Sequence, residues 1–338
     1  MRLVTDTLPT TMAAAEFTGA GGPEVIEVKR RPVPAPGAGE VLIKVEAAGL
    51  NRADVQQRRG HYPPPPGASD IPGLEVAGTI VSVGRGVRAG QWGPGQRVAA
   101  LLSGGGYAEY AVAPVTQLLA VPEPLDLVDA AGLPEVACTV VSNLLHTVTV
   151  RPGDWVLVHG GSGGIGSFAL QMLREFGARA IATGSSEQKL EWALDHGATA
   201  AIDHTKEDFV QRVNEITEGH GADVILDVVG AKYLSRNVDA LSVGGRLVVI
   251  GLVGGSTAEL DLGKLLTKRA GVIATSLRSR PEEEKAAVVA SVQQRILPLV
   301  AAGRIRIDVD RVFPLARAAE AHEYFDSGVH RGKVLLRM

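Results

Sequence analysis

The fold is decided by one stretch of the sequence, Val156-Leu157-Val158-His159-Gly160-Gly161-Ser162-Gly163-Gly164-Ile165-Gly166. An apolar strand runs into a glycine-rich turn, and the residues from about 167 to 176 predict a helix. Gly161, Gly163 and Gly166 have the G-x-G-x-x-G spacing of a dinucleotide-binding turn. The first glycine permits the tight turn, the second lets backbone approach a pyrophosphate, and the third lets helix and strand pack closely. The flanking strand and amphipathic helix favour this interpretation over a purely structural glycine turn.

The same turn predicts which groups hold the phosphates. A helix N-terminus presents N–H groups and the positive end of the helix dipole to an anion. We therefore expect cofactor contacts from Gly161, Ser162, Gly163, Gly164 and Ile165.

The end of the next predicted strand selects the nucleotide. NAD-selective sites place a carboxylate about 20 residues past the glycines, where it holds the ribose 2′-hydroxyl. This chain has Gly184 and Ser185 there, followed by Ser186 and Lys189. Small hydroxyls and a nearby ammonium suit a 2′-phosphate, so these residues favour NADPH over NADH. Two features leave the choice open, because the serines can cap a helix that carries Lys189 on a solvated face, and Glu187 adds a carboxylate.

Length, composition and charge limit the class of protein. The chain has 338 residues, enough for two domains, and 45% of them are hydrophobic. Its net charge of −3 gives no overall basic field, so we expect neither nucleic acid nor a membrane as partner. The single cysteine, Cys138, excludes an intrachain disulfide and a multi-cysteine metal site. We find no secretory signal and no membrane-spanning run, which predicts a soluble, cytoplasmic protein.

The first part of the chain is predicted to be a β domain over residues 1–134. The residues through Met12 are interpreted as a frayed extension, and Met12 is an alternative start. Strand-like runs at 40–48 and 76–83 stand among frequent Gly and Pro residues. Short strands with such punctuation predict an antiparallel, barrel-like domain.

The pattern changes to strand–helix alternation over 135–276. The predicted strands are 155–159, 179–183, 199–202, 223–229, 246–250 and 272–275. That alternation predicts βαβ units, a doubly wound parallel sheet and the α/β class. The last part, 277–338, contains a predicted exposed helix start at 282–285 and ends in an apolar strand, 333–337, expected to rejoin the first domain.

Motifs spread along the chain resemble one family. They are Asn51-Arg52-Ala53-Asp54, Arg58, Gly60, Tyr62, Gly73-Leu74-Glu75-Val76-Ala77-Gly78, Ala131-Gly132-Leu133-Pro134-Glu135, the glycine turn, Asp227-Val228-Val229-Gly230 and Thr275-Ser276-Leu277-Arg278-Ser279-Arg280. Together they resemble the zinc-independent quinone oxidoreductases of the medium-chain dehydrogenase/reductase superfamily. Segments 59–69 and 277–280 are most similar to the p53-inducible quinone oxidoreductase branch. The resemblance covers roughly Met12 to Met338.

The resemblance implies a fold, a cofactor and an activity. The fold would be a GroES-like β-barrel domain, a Rossmann-type domain and a C-terminal return to the first domain, with the active site in the cleft between domains. The activity would be NADPH-dependent reduction of a quinone by a homodimer. Two alternatives stay open: NADPH-dependent reduction of an enone or alkenal double bond, and an NADPH-binding protein with a structural or regulatory role.

The residues at the expected zinc positions predict a metal-free site. Zinc-dependent relatives use a Cys and a Gly-His-Glu motif, and here Asn51 takes the place of the Cys and Leu74 that of the His. Leucine cannot ligate zinc and asparagine is a poor ligand for it. The four-cysteine structural lobe is also missing, since no Cys lies between Gly95 and Tyr110.

Without zinc, other donors must stabilise the negative charge that hydride transfer builds on the acceptor oxygen. Asn51 supplies an amide N–H, and Tyr62 supplies a phenol that can also give a proton. Arg52 is expected to act on the substrate or on the nicotinamide ribose and phosphates. The alternative is structural: Asn51 caps a helix, and Arg52 and Asp54 form an ion pair. For Asp54 we prefer that role, as orienter or ion-pair partner.

The resemblance implies further cofactor contacts. Thr139 matches a position near the nicotinamide, as do Ser276 and Leu277, and His204 stands where relatives often carry a Tyr. The remaining contacts are Val229, Ile250, Gly251 and Lys333, the last expected at the phosphates or on a solvated surface. Cys138 is interpreted as a small buried apolar residue.

Overall fold

The computed structural model describes residues 8–88 and 90–338. The chain divides into two compact units, the first made of residues up to Glu135 together with Val309–Met338, and the second of Val136–Asp308. The prediction grouped residues 277–308 with the C-terminal return. In the structure they belong to the second unit, where Ser291 bonds His146 and the backbone of Arg306 bonds Gln171.

The N-terminal part of the first unit is mostly β. In chain order it contains β1 (Thr11–Phe17), β2 (Ile26–Pro32), β3 (Glu40–Leu50), α1 (Arg52–Arg58), β4 (Glu75–Val83), β5 (Arg97–Leu101), β6 (Tyr110–Pro114), β7 (Leu118–Ala120) and α2 (Leu127–Ala130). Met12 lies inside β1 and is buried, so the predicted extension ends earlier than Met12. The rest of that extension, 1–7, lies outside the described residues.

The second unit alternates strands and helices. Helix α3 (Pro134–Val141) leads into it, followed by β8 (Trp155–Val158), α4 (Gly164–Glu175), β9 (Arg179–Gly184), α5 (Glu187–Asp195), β10 (Ala198–Asp203), α6 (Phe209–Ile216), β11 (Ala222–Asp227), α7 (Leu234–Ala240), β12 (Leu241–Val249), α8 (Leu262–Lys268), β13 (Gly271–Ala274), α9 (Glu282–Arg295) and α10 (Leu297–Ala301). Helix α9 begins at the predicted Glu282, although Lys285 in its first turn is buried rather than exposed.

The order of the six parallel strands in the second unit indicates where a ligand would bind. The order is β10-β9-β8-β11-β12-β13. The chain moves outward from β8 in one direction and resumes at β11 in the other, so the two strands meet at a topological switch point. Ligands of open α/β sheets bind beyond the carboxyl ends of the strands at such a point. All four residues of β8 are buried, as a central parallel strand requires.

The C-terminal segment completes the first unit. It contains β14 (Val309–Pro314), α11 (Ala318–Asp326) and β15 (Lys333–Arg337). Strand β15 pairs antiparallel with β3, with Val334 opposite Leu50, in a sheet ordered β14-β15-β3-β4-β5-β7 to which β6 adds through β3. The apolar run 333–337 thus rejoins the N-terminal part, as its pattern predicts. This pairing sets the first residue of β15 beside the last residues of β3.

Candidate functional site

The glycine turn follows β8 at the switch point. Helix α4 begins at Gly164, and the preceding Gly163 donates its N–H to the carbonyl of Gly160 at 3.1 Å. A Cβ on Gly161 would lie 2.7 Å from the Cβ of Ala182, and one on Gly166 would overlap the carbonyl oxygen of Gly160. Both positions therefore exclude any larger residue. The turn exposes backbone N–H groups at the start of a 12-residue helix, an arrangement that fits a pyrophosphate.

A buried histidine that the sequence reasoning missed is linked to this turn by hydrogen bonds. The ring of His159 contacts the Asn237 amide oxygen through Nε2 at 2.8 Å and the Thr183 hydroxyl through Nδ1 at 3.1 Å. Burial lowers the pKa of His159 to about 4, so its ring is neutral and Nε2 donates while Nδ1 accepts. The Thr183 hydroxyl in turn accepts the N–H of Gly160 at 3.3 Å. The chain of bonds fixes the start of the turn.

The residues predicted to select the nucleotide lie together at the end of β9. Gly184 is the last residue of that strand and is buried, whereas Ser185 is exposed. Ser186 occupies the N-cap position of α5, but its side chain makes no capping hydrogen bond. Lys189 lies in the first turn and is partly buried. Ser186 therefore occupies the helix-capping position that the alternative interpretation expects, but its hydroxyl does not cap the helix.

Four more predicted contacts lie at the ends of the neighbouring strands. The N–H of His204, after β10, donates to the carbonyl of Gly184 at 3.1 Å. After β11, the Asp227 carboxylate accepts the N–H of Val229 at 2.7 Å, while the Asp227 carbonyl accepts the N–H of Ile250 at 2.8 Å. Gly251 follows, and a Cβ there would lie 2.7 Å from the Val228 carbonyl oxygen. The structure thus gathers these backbone groups at the carboxyl edge.

One residue that the sequence reasoning did not single out joins the contacts predicted near the nicotinamide. The amide of Asn143 donates to the carbonyl of Thr139 at 2.8 Å and accepts the hydroxyl of Thr275 at 2.5 Å. Ser276 and Leu277 follow Thr275 directly, Ser276 exposed and Leu277 buried. Asn143 therefore ties the helix of Thr139 to the segment after β13. Cys138, beside Thr139, is buried in the apolar core.

In the first unit, Asn51 belongs to a buried polar group. Its side-chain Nδ2 donates to Oε1 of Glu75 at 2.9 Å, and its Oδ1 accepts from Nζ of Lys333 at 2.7 Å. Lys333 and Glu75 form an ion pair at 2.6 Å, with Lys333 4% exposed and Glu75 fully buried. The other Glu75 oxygen accepts the N–H of Glu135 at 2.8 Å. Four segments distant in sequence thus meet at one carboxylate.

The phosphate contact predicted for Lys333 disagrees with this geometry. An ammonium has three N–H donors. Those of Lys333 face Asn51, Glu75 and, at 3.4 Å, the carbonyl of Leu50. Because these groups occupy the ammonium within a buried environment, we assign Lys333 to the polar group of the first unit.

The remaining predicted residues of the first unit surround α1. The guanidinium of Arg52 lies 3.6 Å from the carboxylate of Asp326 and 4.9 Å from the ring centroid of Phe325. The Asp54 carboxylate instead accepts the N–H groups of Asn51, at 2.8 Å, and Gly73, at 3.2 Å. The alternative ion pair between Arg52 and Asp54 is therefore replaced by pairing with Asp326, while Asp54 orients the start of the helix.

Tyr62 lies in the loop between α1 and β4 and is partly buried. Asn51, Arg52, Tyr62 and Lys333 thus belong to the first unit, and the other predicted site residues belong to the second. Within residues 8–88 and 90–338, no three His, Cys, Asp or Glu side chains converge as a candidate metal site. No helix in the same part of the chain has the length and apolar character to cross a membrane.

The two units define a class. A mainly antiparallel β unit together with a doubly wound unit that carries a G-x-G-x-x-G turn at its switch point is typical of a dinucleotide-binding protein. Residues 37–123 match the family model of the alcohol dehydrogenase GroES-like domain, and residues 164–293 match that of the zinc-binding dehydrogenases. The predicted α/β class, with a GroES-like domain and a Rossmann-type sheet, is confirmed.

Comparison with individual proteins identifies the family. The chain is 34% identical to quinone oxidoreductase of Rattus norvegicus over 328 residues, 96% of this chain and 97% of that protein. It is 31% identical to 2-haloacrylate reductase of a Burkholderia species over 329 residues, 96% and 98% of the two chains. The structure of Escherichia coli quinone oxidoreductase with NADPH matches with a TM-score of 0.85 and 30% identity over 96% of this chain and all of the other. The chain belongs to the medium-chain dehydrogenase/reductase superfamily, among relatives of the quinone oxidoreductases.

Proposed function

We propose that this protein is an NADPH-dependent quinone reductase that works without zinc. The observation that carries the proposal is the glycine turn at the switch point, with serines rather than a carboxylate at the end of β9. Relatives named as quinone oxidoreductases, one of them solved with NADPH, support the same reaction. Bound NADPH supplies a hydride, and with one proton the quinone becomes a hydroquinone.

Other residues of the chain bind the cofactor and the acceptor. The backbone of Gly161, Ser162, Gly163, Gly164 and Ile165 holds the pyrophosphate, and Ser185, Ser186 and Lys189 hold the 2′-phosphate. His204, Val229, Ile250 and Gly251 line the adenosine side of the same edge, while Thr139, Ser276 and Leu277 line the nicotinamide side. Asn51 donates an N–H to the acceptor oxygen on which negative charge develops. Tyr62 donates a hydrogen bond and a proton to the reduced acceptor, and Arg52 adds a positive charge.

Two features support zinc-independent chemistry. Leu74 stands where relatives carry a histidine ligand, and it is buried and apolar. The ammonium of Lys333 lies against the side chain of Asn51, which stands in place of the cysteine ligand. A resident ammonium repels a divalent cation at that position.

The acceptor is tested by steady-state oxidation of NADPH. We expect kcat/KM for menadione to exceed that for crotonaldehyde by at least about tenfold, because the relatives that support the proposal are quinone oxidoreductases and kcat/KM measures discrimination between acceptors. The reverse ratio would favour the enone reductase, a candidate supported by the similarity to 2-haloacrylate reductase. Thermal stabilisation by NADPH without oxidation by either acceptor would favour a binding protein, and would contradict the proposal.

We also propose that the protein is a homodimer. Strand β13 is an edge strand of its sheet. In α8, the helix that precedes it, Leu262 and Leu266 are 70% and 79% exposed. Large exposed apolar side chains beside an open strand favour burial against another copy. Light scattering should give a mass of twice the 35.3 kDa of one chain, and a mass of one chain would reject the dimer.

A further inference from the structure

We propose that Lys333 and Glu75 form a buried positioning pair that orients and polarises the Asn51 carboxamide for the acceptor. The inference rests on the proposed function, in which Asn51 donates to the acceptor oxygen, and adds two residues to that step. Neither residue need touch the acceptor. Lys333 comes from the first position of β15 and Glu75 from the first position of β4.

The chemistry of the two neighbours settles which end of the Asn51 amide points where. An ammonium is only a donor, so the amide atom 2.7 Å from Lys333 must be the oxygen. An ionised carboxylate is only an acceptor, so the amide atom 2.9 Å from Glu75 must be the nitrogen. Exchanging the two amide ends would place donor against donor and acceptor against acceptor. The pair therefore holds Asn51 in one orientation.

That orientation leaves the second N–H of Asn51 with only a long hydrogen bond, which an acceptor oxygen would replace. The amide nitrogen carries two hydrogens, of which one is directed to Glu75. The other meets the carbonyl of Gly49 at a long 3.4 Å. Because a cation on the amide oxygen draws electron density from the nitrogen, the bond to Lys333 makes the second N–H a stronger donor. Such a preorganised donor stabilises an oxygen that gains negative charge.

The cost of building the pair argues for a role beyond folding. Lys333 is 4% exposed and Glu75 fully buried, and burying charges costs free energy that the ion pair often fails to recover. The chain also keeps Gly49 to admit the pair, since a Cβ there would overlap the Glu75 carboxylate. Stability alone would be served as well by apolar side chains in these places.

A double-mutant cycle tests whether Lys333 acts through Asn51. Lys333→Met and Asn51→Ala should each lower kcat for menadione, by about tenfold and about a hundredfold, and the double variant should be no slower than Asn51→Ala by more than about twofold. NADPH affinity, measured by fluorescence, should stay unchanged in Lys333→Met. Losses that multiply, or a loss confined to NADPH affinity, would overturn the proposal.

Two further variants separate positioning from folding. Glu75→Gln combined with Lys333→Met leaves no unpaired buried charge, and we expect it to fold with a lowered kcat. Full activity in this variant would show that the cation is dispensable. Arg337→Met is the matched control, because Arg337 lies on the same strand and pairs with Glu46 at the surface, at 2.9 Å. It should retain the kcat of the unmodified protein.

The orientation itself has a readout that does not need turnover. The chain contains four asparagines, Asn51, Asn143, Asn214 and Asn237. Selective ¹⁵N-asparagine labelling would show their side-chain NH₂ signals, with Asn51 assigned by its loss in Asn51→Ala. In Lys333→Met the Asn51 pair should shift and exchange faster with water, while the other pairs stay in place. An unmoved Asn51 signal would reject the pair even if menadione is reduced, whereas a shift without any turnover would reject the proposed reaction alone.

Discussion

Gly163→Ala should weaken NADPH binding by about tenfold or more, roughly 1.4 kcal/mol, while the free protein keeps its thermal stability. Gly163 has ordinary backbone angles, φ −76° and ψ 169°, which alanine also adopts. A Cβ there would lie 3.6 Å from the Gly160 carbonyl oxygen, a normal contact. The added methyl group therefore disturbs nothing in the free chain. In the proposed complex it would lie where the pyrophosphate approaches the backbone, so we expect only NADPH binding to be weakened.

Gly166→Ala is the comparison that makes this result specific. Its Cβ would overlap the Gly160 carbonyl oxygen and lie 2.8 Å from the Cα of Gly161, so backbone must move. We expect it to lose about 1–3 kcal/mol of stability in addition to NADPH affinity. Thermal unfolding with and without NADPH, together with a fluorescence titration, separates the two cases. Wild-type affinity in Gly163→Ala would show that the turn does not hold the pyrophosphate.

The alternating part of the chain was predictable because its signals are local. Most strands of the second unit are short runs of apolar residues in the sequence, and the glycine spacing marks the turn after the first of them. Boundaries were less certain where glycine interrupts a pattern. Helix α4 starts at Gly164, three residues before the predicted start, and its first turn includes Gly166, a residue of low helix propensity that packs closely on Gly160 and Gly161. Strand β12 likewise begins at Leu241 and passes through Gly244 and Gly245.

The polar partners of the first unit could not be predicted, because they are distant in sequence. Arg58 is 1% exposed and its guanidinium contacts His322 at 3.1 Å and Asp326 at 2.5 Å. This joins the end of α1 to α11 across more than 260 positions. Spacing rules describe neighbours on one helix or strand, and such rules say nothing of pairs that only the folded chain creates.

The sequence contains one weak indication of the ion pair between Lys333 and Glu75. Both are charged residues at the first position of strands that continue with apolar residues, and charges are rarely buried unless they are paired. The two residues are far apart in the sequence, and Lys333 was expected at the phosphates or on a solvated surface. The pairing became visible only when β15 was placed beside β3, with Leu50 opposite Val334. For His159, no comparable signal marks Asn237 as its partner.

Ser185→Asp should lower the ratio of kcat/KM for NADPH to that for NADH by about a hundredfold. A carboxylate at the end of β9 repels the 2′-phosphate of NADPH, and like charges brought together cost several kcal/mol. The same carboxylate accepts a hydrogen bond from the 2′-hydroxyl of NADH. Because Ser185 is exposed and precedes the N-terminus of α5, where negative charge suits the helix dipole, we expect no loss of stability.

The control must add the same charge without facing the phosphate. Gln188→Glu adds one carboxylate to the exposed first turn of the same helix, so it reproduces the change in net charge. The two rates are compared at fixed salt, because exposed charges are screened by ions. A ratio that stays constant in Ser185→Asp would remove Ser185 from the nucleotide site. An equal fall in Gln188→Glu would show that the effect is a long-range one of net charge, and would leave no ground for a 2′-phosphate contact at Ser185.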